Sequence, residues 1–187
     1  MRQRPHCLVF IATSADGFVA REDGRIDWLL AANRRVPLPE DCGYAASMKD
    51  IDGIVMGRAS YEQVAAFDAW PFGDLPVTVM CRRGPQARPT AGRVTWCADA
   101  PAALLTRLYM QGHRRLHIDG GRLIQSFLRE GLIDEMTITT LPCLLGSGRR
   151  LFGPLDSDVA LFHVATRSWP FGFVQTHWRL LSQGVLS

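Results

Sequence analysis

The chain has 187 residues, 47% of them hydrophobic and 21% charged, with a formal net charge of +3. That balance suits one globular domain, spanning 1–187, with a substantial core, and it excludes a disordered, collagen-like or coiled-coil chain. No block of like charges marks a nucleic-acid tail, and no apolar run nears the roughly 20 residues needed to span a bilayer.

The first element is an unbroken apolar run at 7–13. Arg2 and Arg4 stand before it, but the run is too short for a secretory leader, so it reads as a strand buried on both faces. Residues 21–41 are rich in Asp, Gly, Pro and Arg. They read as a long loop with a helical turn at 28–33, and long loops in compact domains are often functional. A helix is predicted at 43–50, a buried strand at 53–57 and a helix at 59–67. A connector at 71–76 leads to strands at 77–81 and 93–97. Residues 101–111 read as a helix, with Pro101 suited to its first turn and Gly112 to its end. A strand at 116–119, a helix at 122–129 closed by Gly131, and a Thr-rich strand at 135–141 follow. Two long strands, 159–168 and 173–181, form a hairpin across Trp169-Pro-Phe-Gly172. Alternating strands and helices closed by a hairpin predict an α/β domain. Its mainly parallel sheet carries helices on both faces and an antiparallel edge.

The five cysteines, Cys7, Cys42, Cys81, Cys97 and Cys143, are odd in number and form no C-x-x-C pair. That argues against a disulfide framework and against a metal site, and suits free thiols in a reducing compartment. Lys49 is the only lysine among 21 basic residues, so arginine carries nearly all the positive charge.

Two strand-to-helix junctions stand out: Val55-Met-Gly-Arg-Ala-Ser60 and Ile118-Asp-Gly-Gly-Arg-Leu123. A helix N-terminus offers unpaired N–H groups and a partial positive charge, and glycine lets a phosphate come close to the backbone. Arg58 and Arg122 lie beside the expected anion. Neither junction is a G-x-G-x-x-G fingerprint, and by itself each fits a tight turn as well as a ligand site. Arg82-Arg83, just past the strand at 77–81, suit a second phosphate or a solvated loop.

Taken together, these motifs resemble the dihydrofolate reductase superfamily. Within it they are most like stand-alone relatives of the C-terminal reductase domain of the bifunctional riboflavin-pathway deaminase/reductase. The matching segments run from Ser14-Ala-Asp-Gly17 through Ile26-Asp-Trp28, Val55-Met-Gly-Arg58 and Asp119-Gly-Gly121 to Gly131-Leu-Ile-Asp-Glu135 and Leu141-Pro-Cys-Leu-Leu-Gly-Ser-Gly148. No H-x-E or P-C-x-x-C zinc signature of a deaminase is present.

The resemblance implies a three-layer dihydrofolate-reductase-like fold, NADPH as cofactor and a pyrimidine-like or pterin-like heterocycle as substrate. The activity would be similar to that of the riboflavin-pathway phosphoribosylamino-uracil reductase. The alternatives are dihydrofolate reduction, or nucleotide binding without catalysis. Gly57, Arg58, Ala59 and Ser60 would meet the pyrophosphate and the adenosine ribose phosphate. Cys81, Arg82 and Arg83 would surround the 2′-phosphate. Gly120, Gly121, Arg122 and Leu123 would cradle the pyrophosphate, flanked by Asp119 and Ile124. Ala12 and Thr13, with the Asp16-Gly17 loop, would border the nicotinamide. For the proton, the segment Leu38-Pro-Glu-Asp41 nominates Asp41. Trp28 matches an active-site tryptophan of the family, and Asp27 and Asp119 compete with Asp41. The resemblance also implies a cytoplasmic homodimer that binds neither nucleic acid nor membrane.

Overall fold

The computed structural model describes residues 3–82 and 92–181. Its centre is β1 (His6–Ser14), the apolar run that the sequence marks as buried. It pairs in parallel with β6 (Arg115–Asp119) on one side and β7 (Glu135–Leu141) on the other. Beyond β6 lie β3 (Gly53–Gly57), β4 (Pro76–Met80) and β5 (Arg93–Cys97), all parallel. Beyond β7 lie β10 (Val174–Leu180) and then β9 (Leu161–Ser168), both pairs antiparallel. The eight-stranded order is therefore β5-β4-β3-β6-β1-β7-β10-β9. Two short strands, β2 (Phe18–Ala20) and β8 (Arg149–Arg150), pair separately.

Side-chain alternation along the strands builds two cores. On one face Cys7, Val9, Val55, Leu116 and Ile118 pack under α4 (Pro101–Met110) and α5 (Gly121–Arg129). The buried residues of α4 are Pro101, Leu104, Leu105 and Leu108, a stripe at i, i+3, i+4 and i+7 that faces the sheet. On the other face Ile54, Met56, Val77 and Val79 pack with Tyr61 of α3 (Arg58–Ala65) and with Met48 of α2 (Tyr44–Met48). A third cluster joins Trp28 of α1 (Asp27–Asn33) to Cys42, Leu141 and Phe173. The hairpin between β9 and β10 closes with Gly172 at φ 93°, the left-handed region that favours glycine.

The N-terminal edge is held by charge. Asp134 accepts two hydrogen bonds from the Arg4 guanidinium, at 2.7 and 2.8 Å, and a third from the Cys7 amide at 2.8 Å. Burial, opposed by Arg4, pushes the Cys7 thiol up to about 12. That leaves it a neutral packing group. All five cysteines are free.

Three expectations are refined. The loop of 21–41 contains a full helix, α1. The helix expected at 43–50 is the shorter α2, and the penultimate strand starts at Leu161 rather than 159. Strands β2 and β8 have no periodic signal, being three and two residues long. Among the described residues no helix is long and apolar enough to cross a membrane.

Candidate active site

Strand register brings the two glycine junctions together. Met56 of β3 lies opposite Asp119 of β6, Gly57 opposite Met80, and Met80 opposite Cys97. The carboxyl ends of β3, β4, β5 and β6 thus form one edge, the usual ligand-binding edge of an open α/β sheet.

Gly57 is the N-cap of α3 and Gly120 the N-cap of α5, and neither helix has a side-chain cap. Their first-turn amides are left for another acceptor. Gly120 has φ 98°, and a Cβ there would lie 2.5 Å from Ser60 Oγ and 3.8 Å from the Gly57 nitrogen. Only glycine lets the two helix starts meet this closely. A Cβ on Gly121 would meet Val19 at 3.0 Å and the Arg150 carbonyl at 3.3 Å, so β2 and β8 pack over the start of α5.

Beside this junction opens a cavity of about 430 Å³. Gly57, Cys81, Arg82, Arg122 and Leu123 line it, together with Ser126 one turn further along α5. Asp99 also lies there, but Arg107 neutralises it at 2.8 Å. Glu130 lines the cavity as well, but two guanidiniums and two uncapped helix starts favour an anion at the junction. The arrangement fits a dinucleotide with phosphates. Open space at Gly57 leaves room for a pyrophosphate at the α3 and α5 amides, and Arg82 and Arg122 can pair with a further phosphate.

The other residues named from sequence fall into distinct places. Arg58 is exposed and pairs with Glu62 at 3.3 Å, while Ser60 faces Gly120. Arg83 lies outside the described residues. Ile124 is a correction: it is fully buried in the core and its amide donates to the Gly120 carbonyl at 2.9 Å, so it has nothing to offer a cofactor. Thr13 is buried in β1, and Ala12 packs against the Trp28 cluster. Asp16 accepts from Ser14 Oγ at 2.6 Å, from the Gly146 amide at 2.7 Å and from the Leu145 amide at 3.1 Å. The Ser14 hydroxyl and these amides hold its carboxyl down at about 2. It therefore pins the Gly17 loop to the strand connection at 145–146.

Neither Asp41 nor Asp27, nominated for the proton, has the raised pKa that suits a carboxyl donor at neutral pH. Asp41 receives the Ala45 and Gly43 amides, each at 2.8 Å, and those bonds lower its pKa. It serves as a turn and cap acceptor at the start of α2. Asp27 pairs with Arg21 at 2.7 Å, and the Arg21 hydrogen bond lowers its pKa. Asp119 is differently placed. It stands at the end of β6, beside Met56 in the ladder and on the same strand face as His117. Burial raises the Tyr44 hydroxyl pKa and the nearby Asp119 charge raises it further. Tyr44 in turn meets Phe10 edge-on at 5.8 Å. Burial lowers the His117 pKa, against the pull of Asp119. Tyr44 and His117 were not named from sequence. His117 could have been found from its two-residue spacing to Asp119, and Ser126 from its four-residue spacing to Arg122.

Comparison with known proteins agrees with this fold. The family model for the RibD C-terminal domain matches residues 5–174. The uncharacterized protein YwjB of Bacillus subtilis is 33% identical over 174 residues, covering 91% of this chain and 95% of YwjB. A solved Shewanella sp. PV-4 structure, provisionally named for riboflavin biosynthesis, is 35% identical. It superposes with a TM-score of 0.84 over 95% of this chain and 99% of that one. A dihydrofolate reductase from Enterococcus faecalis, solved with NADP(H), shares the fold at a TM-score of 0.63 and 16% identity, over 95% of this chain and 97% of that one. The architecture is thus dihydrofolate-reductase-like, and the chain belongs to the RibD C-terminal domain family.

Proposed function

We propose that this protein is an NADPH-dependent reductase of a pyrimidine-like or pterin-like heterocycle, similar to the phosphoribosylamino-uracil reductase of the riboflavin pathway. The observation that carries the reading is the meeting of two uncapped helix starts at Gly57 and Gly120, beside a cavity holding Arg82 and Arg122. Bound NADPH would supply the hydride. The α3 and α5 amides hold the pyrophosphate, while Arg82 and Arg122 bind and orient the adenosine end. Ala12, Thr13 and the loop pinned by Asp16 border the nicotinamide, so the heterocycle lies towards Phe10, Tyr44 and Asp119. Asp119 would orient an ordered water that delivers the proton to the reduced ring. Asp41, already engaged by two amides, supports α2 instead. Trp28 walls the substrate side from α1.

The test is cofactor choice. Arg82→Ala and Arg122→Ala each remove one charge-assisted phosphate contact, worth about 1.5–3 kcal/mol. In fluorescence titrations at least one of these variants loses tenfold or more in NADPH affinity and keeps its NADH affinity. Equal loss for both cofactors in both variants would remove the 2′-phosphate assignment. Unchanged binding throughout would remove the site.

A further inference from the structure

The chain that leaves β7 is bonded along its length to the loop of residues 14–18. The Ala15 amide donates to the Cys143 carbonyl at 2.8 Å, and the Leu151 amide donates to the Gly17 carbonyl at 3.1 Å. Between them the Leu145 and Gly146 amides donate to the Asp16 carboxylate at 3.1 and 2.7 Å. The Arg150 guanidinium donates to the Asp16 carbonyl at 3.3 Å and lies 4.5 Å over the Phe18 ring. Residues 143–151 therefore form a strap that fixes the course of the loop.

One side chain of α5 holds that strap. Gln125 Nε2 donates to the Arg150 carbonyl at 2.9 Å and to the Leu151 carbonyl at 3.2 Å. Two glycines permit the approach. A Cβ on Gly153 would lie 2.8 Å from Gln125 Oε1, and a Cβ on Gly121 would lie 3.3 Å from the Arg150 carbonyl. Gln125 stands four residues after Gly121, on the same face of the helix. The helix whose first amides meet the proposed pyrophosphate thus carries, one turn later, the donor that anchors the strap.

We infer that Gln125 is a positioning residue for the nicotinamide half of the cofactor. It acts through the strap: with Arg150 and Leu151 fixed to α5, the loop of 14–18 is in place before the cofactor arrives. Without that anchor the loop is in place for only part of the time, and apparent affinity falls by that fraction. The adenosine half, held at the starts of α3 and α5 and by Arg82 and Arg122, does not reach the loop. The inference rests on the reductase reading.

The experiment compares NADPH with adenosine 2′,5′-diphosphate, which carries the phosphates but no nicotinamide, by calorimetric titration of the full chain. The wild type is expected to bind both. Gln125→Met keeps the side-chain length and removes the donor. It is expected to lose about tenfold in NADPH affinity, the scale of one net hydrogen bond, and to bind the diphosphate as the wild type does. A merely structural role would weaken both ligands alike. Hydrogen exchange on the wild type needs no variant to fold. There NADPH is expected to slow the amides of 14–18 and of 145–151 together, and the diphosphate to slow neither. Undiminished NADPH affinity in Gln125→Met, equal loss for both ligands, or protection of the loop without the strap would overturn the inference and leave the reductase reading standing. A wild type that binds neither ligand would overturn both.

Discussion

At the residue scale, the chain assigns its carboxylates to different tasks through the donors around them. Asp16 collects a hydroxyl and two amides and has its pKa lowered to about 2. A depressed folded-state pKa contributes stability above the unfolded value, and that stability is lost as pH falls through about 2. Acid melts of the wild type should therefore show a steep loss of stability below the ordinary aspartate range. Asp16→Asn should be less stable at neutral pH and show a shallower acid slope; identical slopes would show that the pinned loop is unimportant. Asp119 acts on a neighbour instead. Its charge adds to burial in raising the Tyr44 pKa, so Asp119→Asn should lower the pH at which the Tyr44 phenolate absorbs. No movement would separate the two groups and weaken the assignment of Asp119 to the substrate side.

At the element scale, the apolar patterns were legible and the polar environments were not. The runs at 7–13 and 53–57 are strands because β-rich apolar residues without breaks suit a sheet covered on both faces. The stripe through Leu104 and Leu108 places α4, and Gly112, at φ 101° just beyond it, suits its end. Strands β2 and β8 were missed because they owe their pairing to the Asp16 loop rather than to their own pattern. The role of Asp41 could not be read either, because a capping aspartate and a catalytic one follow the same spacing until the Ala45 amide is seen on it. Helix α5 depends on packing. Phe127 is fully buried, so Phe127→Ala should cost about 3–5 kcal/mol in urea unfolding. A loss below about 1 kcal/mol would mean the face of α5 is not part of the core as described.

At the scale of the whole molecule, parallel pairing gathers the strand ends, and register then decides which residues share the edge. Glycine junctions more than 60 positions apart, Gly57 and Gly120, become neighbours because β6 inserts between β3 and β1. Each junction was visible in the sequence, but their closeness was not, since only the strand order brings them together. The anion-ready edge is therefore a property of the topology, and it is the edge proposed to hold the phosphates of NADPH. The most direct measurement is an NADPH fluorescence titration of the wild type and of Gly120→Val, with circular dichroism to show that both are folded. Saturable binding is expected for the wild type. None is expected for the variant, whose Cβ would lie 2.5 Å from Ser60 Oγ in a backbone conformation suited to glycine. A folded Gly120→Val that binds NADPH as well as the wild type, or a wild type that does not bind it at all, would mean that this edge does not hold the cofactor.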